Sequence, residues 1–158
     1  PDRGFALACE ELAWYVELAE KAGLRLSVEP HIESIAPTPT SALELAERVP
    51  GLRLTLDYSH FLAAGFEQQA VHPLARYAGH VHIRQAAPGR PQVASREGVL
   101  RVDEILDNLR LAGYKGAITI EYVWSPWRGL DQVDVVSESV LLLQELQRFT
   151  GDGQPQQA

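Results

Sequence analysis

The sequence predicts an α/β fold in which parallel strands are joined by crossover helices. Four short β-rich runs stand out: LRLSVEP (24–30), LRLTLDY (52–58), GHVHIRQ (79–85) and AITIEYV (117–123). Each is followed by turn chemistry, and apolar residues at helical spacing fill the intervals. Those intervals are long enough for the crossovers that parallel strands require. The architecture is then either an open sheet or part of a (β/α) barrel. No glycine-rich phosphate fingerprint follows any strand, which weakens a nucleotide-binding open sheet.

Taken in order, residues 5–22 carry Ala8, Leu12, Val16 and Ala19 on one stripe and close at Gly23, a good helix stop. A second helix is expected to start at Ser41, with Glu44 three residues on as a capping box, and to end before Pro50-Gly51. A third, near 66–77, is interrupted by Pro73. Val102, Ile105, Leu106 and Leu109 mark a fourth, stopped by Gly113. The last, about 131–149, places Val136, Val140, Leu143 and Phe149 on one side. Residues 1–150 form one domain, and GDGQPQQA (151–158) is expected to be a disordered tail.

A chain of 158 residues, 46% hydrophobic and 22% charged, suits one soluble globular domain. The net charge of −7 argues against a nucleic-acid or anionic-membrane partner. Cys9 is the single cysteine, so neither a disulfide framework nor a cysteine metal site is expected, and a reducing cytoplasm is the default. No apolar run reaches the roughly 18–20 residues of a membrane span, and no signal peptide is visible. The chain opens on Pro1 and contains no methionine, which reads as a piece of a longer protein or a processed product.

Alternate residues of a strand share a face. Leu26, Val28, Leu54, Leu56, Val81, Ile83, Ile118 and Ile120 form one face, fit to pack under helices. The other face reads Ser27-Glu29, Thr55-Asp57, His80-His82 and Thr119-Glu121. Every strand therefore ends on a residue type that binds metal, and in a barrel the C-terminal rim is where active sites sit. Two Glu, one Asp and one His suit a hard or borderline divalent ion: Mn²⁺ or Mg²⁺ first, then Co²⁺, Fe²⁺ or Zn²⁺. Gathered carboxylates repel one another unless a cation lies among them. The bland alternative is a one-sided sheet whose polar face meets solvent. Carboxylates and His at every strand end fit that alternative poorly.

The motifs VEPH, LDYSH, GHVHIRQA and GYKGAITIEY, in that order over residues 24–124, resemble the C-terminal half of the xylose isomerase-like TIM-barrel superfamily. The resemblance implies a partial (β/α)8 TIM barrel holding the fifth to eighth strands, so that a first half is missing from a barrel of about 250 residues. It implies Glu29, Asp57, His82 and Glu121 as metal ligands, and His60, of the Asp-x-x-His motif, as a substrate-binding residue. The family includes sugar-phosphate isomerases and epimerases, ketose 3-epimerases, inosose dehydratases and apurinic endonucleases. Ketose 3-epimerases carry a further Glu and a further Arg at positions that here hold Ile35 and Pro88, with Arg84 or Arg90 as substitutes. The extra Asp-x-His pair of the endonucleases has no counterpart between Gln85 and Leu100.

The expected activity is a divalent-metal-dependent isomerase or epimerase acting on a sugar, sugar phosphate or cyclic polyol. Glu29 and Glu121 would move a proton through an enediolate. An inosose-type dehydratase shares the first step, and a non-catalytic metal- or sugar-binding truncated paralogue is the rival of another class. His80 is either a substrate contact or a hydrogen-bonded lumen residue, and Arg84 either holds a substrate oxygen or is a surface charge. His31 and Glu33 are expected in solvent, His72 on a helix surface, and Trp124 and Trp127 either over a pocket or packed between loop and helix. The partner expected beside the substrate is the missing N-terminal half-barrel or a second copy.

Overall fold

In the computed structural model, which describes residues 3–150, the four β-rich runs pair into one parallel sheet. Its strands are β1 (Ser27–Val28), β2 (Arg53–Asp57), β3 (Ala78–Ile83) and β4 (Ile118–Ile120), side by side in chain order. The helices are α1 (Arg3–Lys21), α2 (Pro39–Arg48), α3 (Tyr58–Ala63), α4 (Gln68–Val71), α5 (Val102–Leu111) and α6 (Val135–Thr150). Short 3-10 turns lie at His72–Tyr77, Ser95–Glu97 and Trp127–Gln132. The expected tail, 151–158, lies outside the described residues. Among the described residues no helix is long and apolar enough to cross a membrane.

One sheet face builds the core. Leu54, Leu56, Val81 and Ile83 are essentially inaccessible, and Val28, Ile118 and Ile120 pack against the same cluster under α2, α5 and α6. The opposite face carries the polar set, as the alternation requires. Register then staggers that set. Val28 pairs with Leu54, which puts Glu29 beside Thr55; Asp57 pairs with His82, and His82 with Thr119, two residues short of Glu121. The candidate ligands thus climb the sheet from β1 to β4, the stagger that tilted barrel strands need to bring their ends level. A register shift at Leu54/Thr55 falls opposite Gly79. A side chain there would meet Arg53 Cβ at 2.7 Å and clash with Ser27 Oγ, so only glycine fits.

Several boundaries differ from expectation. Helix α2 is capped by Thr38, not Ser41: Thr38 Oγ1 accepts from the Ser41 amide at 3.0 Å and Ser41 Oγ accepts from the Thr38 amide at 3.0 Å. Pro39, with its preset φ, takes the first helical position, so the helix starts two residues early. The interrupted third helix is the short α4 followed by the 3-10 turn that contains Pro73. Helix α3 was not anticipated. The stripe expected on α6 faces outward, with Val136, Val140, Leu143 and Phe149 at 45–70% exposure, while Leu142 and Leu146 are the buried pair. His72 is half-buried rather than on the surface, edge-on to Tyr58 at 6.0 Å.

Candidate metal centre

Glu29 and Glu121 follow β1 and β4 directly, while Asp57 and His82 lie at the ends of β2 and β3. Parallel strands point their C-terminal ends the same way, so all four side chains meet on one rim. One donor atom from each lies within 4.8 Å of the others. His82 Nδ1 is 3.2 Å from Glu29 Oε1 and 3.2 Å from Glu121 Oε2. Asp57 is fully buried and does two jobs, since its Oδ1 also accepts the Ser59 amide at 2.8 Å as the cap of α3.

Arg84, two residues past His82, is buried beside the cluster, 3% exposed. Its Nη2 donates to Asp57 Oδ2 at 2.8 Å and reaches His60 Nε2 at 3.3 Å. Its Nε donates to Ser59 Oγ at 3.0 Å, and its Nη1 donates to the Glu121 carbonyl at 3.0 Å and faces Glu121 Oε2 at 3.1 Å. A guanidinium has five N–H donors, and here it makes four hydrogen bonds and an ion pair with Glu121. Arg84 is therefore not a surface charge. It is a built-in cation between two of the candidate ligands, and Ser59, which no sequence signal singled out, completes its cradle.

His60, 3% exposed, accepts from Arg84 at Nε2, so a neutral ring carries its hydrogen on Nδ1, which has no protein partner. Burial lowers its pKa to about 4; Asp57 opposes the shift, and Arg84 adds to it. Glu29 moves upward, first through burial and then through the nearby charges of Asp57 and Glu121, against the pull of His82. Carboxylates that raise one another's proton affinity are what a cation relieves, and the O/N donor set suits a hard or borderline divalent ion.

One layer down, His80 Nε2 is 2.9 Å from Thr119 Oγ1, and its ring lies edge-on to His82 at 5.0 Å. His31 is only partly exposed: its ring packs 4.1 Å from His60 and 5.3 Å from Trp127. Glu33 is exposed but engaged, accepting from Arg128 Nη2 at 2.8 Å. The pair ties the loop after β1 to the loop after β4, where Arg128 has a left-handed φ of 51°. Trp127 thus lines the rim, whereas Trp124 is 72% exposed. The buried Gln92 pins the second loop, bonding Val123 N and O at 2.8 and 2.9 Å and the Leu130 carbonyl at 2.7 Å.

A profile described as xylose isomerase-like TIM barrel matches residues 1–146. The chain belongs to the xylose isomerase-like TIM-barrel family. No curated protein matches significantly. Solved structures of similar fold include a xylose isomerase-like TIM-barrel protein from Mycobacterium smegmatis in complex with magnesium, 18% identical, TM-score 0.69, covering 94% of this chain and 53% of that one. Another is the probable 3-DHS dehydratase AsbF from Bacillus anthracis, 18% identical, TM-score 0.61, covering 85% and 55%. A third is the 3-keto-D-glucoside 4-epimerase YcjR from E. coli, 19% identical, TM-score 0.58, covering 89% and 53%. This xylose isomerase-like chain spans about half the length of the structures it resembles.

Proposed function

We propose that this chain carries the metal-binding half of a divalent-metal-dependent isomerase or epimerase for a sugar, sugar phosphate or cyclic polyol. The observation that supports it is the convergence of Glu29, Asp57, His82 and Glu121 from four successive strands. An ion held there, Mn²⁺ first among the divalent metals that suit the donors, supplies Lewis-acid charge beside a substrate carbonyl. Glu29 and Glu121 flank His82 from the two outer strands. From there they serve as base and acid, removing a proton beside the carbonyl and returning it through an enediolate. His60, beside the ligands, binds substrate, and His80 contacts substrate from the layer below. Arg84 fixes Asp57 and Glu121 and, from beside them, holds a substrate oxygen. A reducing cytoplasm suits the buried, unpaired Cys9.

The likeness to a probable 3-DHS dehydratase favours a second reading, an inosose-type lyase that shares the proton abstraction and then expels a hydroxyl. The rival outside catalysis is a non-catalytic metal- or sugar-binding truncated paralogue. Incubating the metal-loaded protein with ketoses, aldoses, their phosphates and inososes in D₂O tests all three. Deuterium at the carbon beside the carbonyl is expected, falling by about 10²–10⁴-fold in Glu29→Gln or Glu121→Gln. A dehydrated product selects the lyase. Metal-bound protein without exchange or turnover selects the binding module.

A further inference from the structure

Cations open the strands as regularly as metal-binding residues close them. Arg25 shortly precedes β1, Arg53 begins β2, Arg76 shortly precedes β3 and Lys115 shortly precedes β4. Because the strands are parallel, these side chains gather at the end of the sheet away from the ligand rim, around a cavity of about 390 Å³. No carboxylate is among its lining residues. The chain carries a net charge of −7 and only 14 Lys and Arg, so this is a local reversal of its overall sign.

The protein itself does not use up these charges. Arg76 is neutralised by Glu47 at 3.0 Å and lies over the Tyr77 ring at 4.9 Å. Arg53 is half-buried, and its Nη1 reaches the Arg76 carbonyl at 3.5 Å, which holds the guanidinium in the cavity wall without neutralising it. Among the described residues, Arg25 and Lys115 have neither a hydrogen-bond nor an ion partner. Like charges around one concavity add their potentials, and the low-dielectric walls focus them. Between the cations the lining is backbone: Gly79 and Gly113, the latter with a left-handed φ of 73°, put no side chain in a ligand's way.

We propose that this cavity binds a small anion bearing two or more phosphate groups. Guanidinium forks pair with phosphate oxygens two at a time, and a lysine adds a point charge. A monophosphate brings about two negative charges at neutral pH and leaves one of Arg25, Arg53 and Lys115 unmatched. A second phosphate group supplies the remainder. A nucleic acid is disfavoured, because the rest of this acidic chain repels a long polyanion. The site lies apart from the metal rim, and the proposal rests neither on the metal nor on the reaction proposed above.

Amide NMR spectra of the isotope-labelled, metal-free chain test it, with phosphate, pyrophosphate and ADP titrated at constant ionic strength. Pyrophosphate should saturate at one per chain and shift the Gly79 and Gly113 amides while those of Asp57 and His82 stay in place. It should bind at least about tenfold tighter than phosphate. ADP tighter than pyrophosphate assigns a nucleotide; ADP no tighter assigns the phosphates alone. Arg25→Gln/Lys115→Gln, shown to be folded by circular dichroism, should weaken pyrophosphate binding at least about tenfold. Lys115→Gln alone, at an exposed loop position, should give part of that loss. Arg96→Gln removes an exposed cation outside the cavity and should bind as wild type does. Shifts that fail to saturate, phosphate bound as tightly as pyrophosphate, or a loss in Arg96→Gln as large as in the double variant overturns the proposal.

Discussion

Arg84 sets the energetics of the site at the scale of single residues. Removing one member of a buried, hydrogen-bonded ion pair leaves the other uncompensated, at a cost of about 3–5 kcal/mol. Arg84→Gln should therefore destabilise the metal-free protein by that order in urea unfolding, because Asp57 is fully buried. Added Mn²⁺ should restore part of the loss, since an ion at the cluster also neutralises Asp57; equal losses with and without metal would separate Arg84 from the centre. His60 gives the pH dependence. Its folded pKa of about 4 lies below the ordinary 6.5, so between those values the unfolded chain binds more protons. Its contribution to stability is present above pH 6.5 and is lost as pH falls towards 4, amounting to at most about 3 kcal/mol. The difference between wild-type and His60→Asn stability curves, measured without metal, should change across that window and be flat above it. Strand alternation put Glu29, Asp57, His82 and Glu121 on one face, because period two leaves no choice of face, whereas His60 was legible only through its Asp-x-x-His motif. The burial and anchoring of Arg84 were not legible, since they depend on Ser59 and on a helix turn that begins inside the DYSH motif.

At the scale of elements, the rim loops are held by a few polar contacts. Gln92→Ala leaves the Val123 amide without its acceptor and the buried Leu130 carbonyl without its donor, and a buried group so orphaned costs about 1–3 kcal/mol. Hydrogen exchange at Val123 should accelerate while β2 and β3 stay protected. Unchanged protection at Val123 would mean that other contacts hold the loop. Strand and helix order followed from periodicity and turn residues, and three elements show where that signal runs out. The inner face of α6 was not legible because Val135, Val136, Val140, Leu141, Leu142, Leu143 and Leu146 make it apolar nearly all round. Helix α2 offers two overlapping caps, and Pro39 decides for Thr38 by fitting the first helical position. Helix α3 is hidden because Asp57 ends a strand and caps a helix at once.

At the scale of the whole molecule, four strand ends of opposite chain location make one centre only because the sheet is parallel and staggered as in a barrel. Binding to the folded form alone raises stability by RT ln(1 + [L]/Kd), so millimolar Mn²⁺ should raise the melting temperature, and Glu29→Gln should remove most of the gain. Electron paramagnetic resonance of the Mn²⁺-loaded protein tests the claim most directly. One ion per chain is expected, with spin-echo modulation from a single coordinated imidazole nitrogen. That modulation should vanish in His82→Ala and persist in His60→Ala. Unbound Mn²⁺ in the wild-type protein, or a nitrogen signal that survives His82→Ala, would contradict the four-ligand centre.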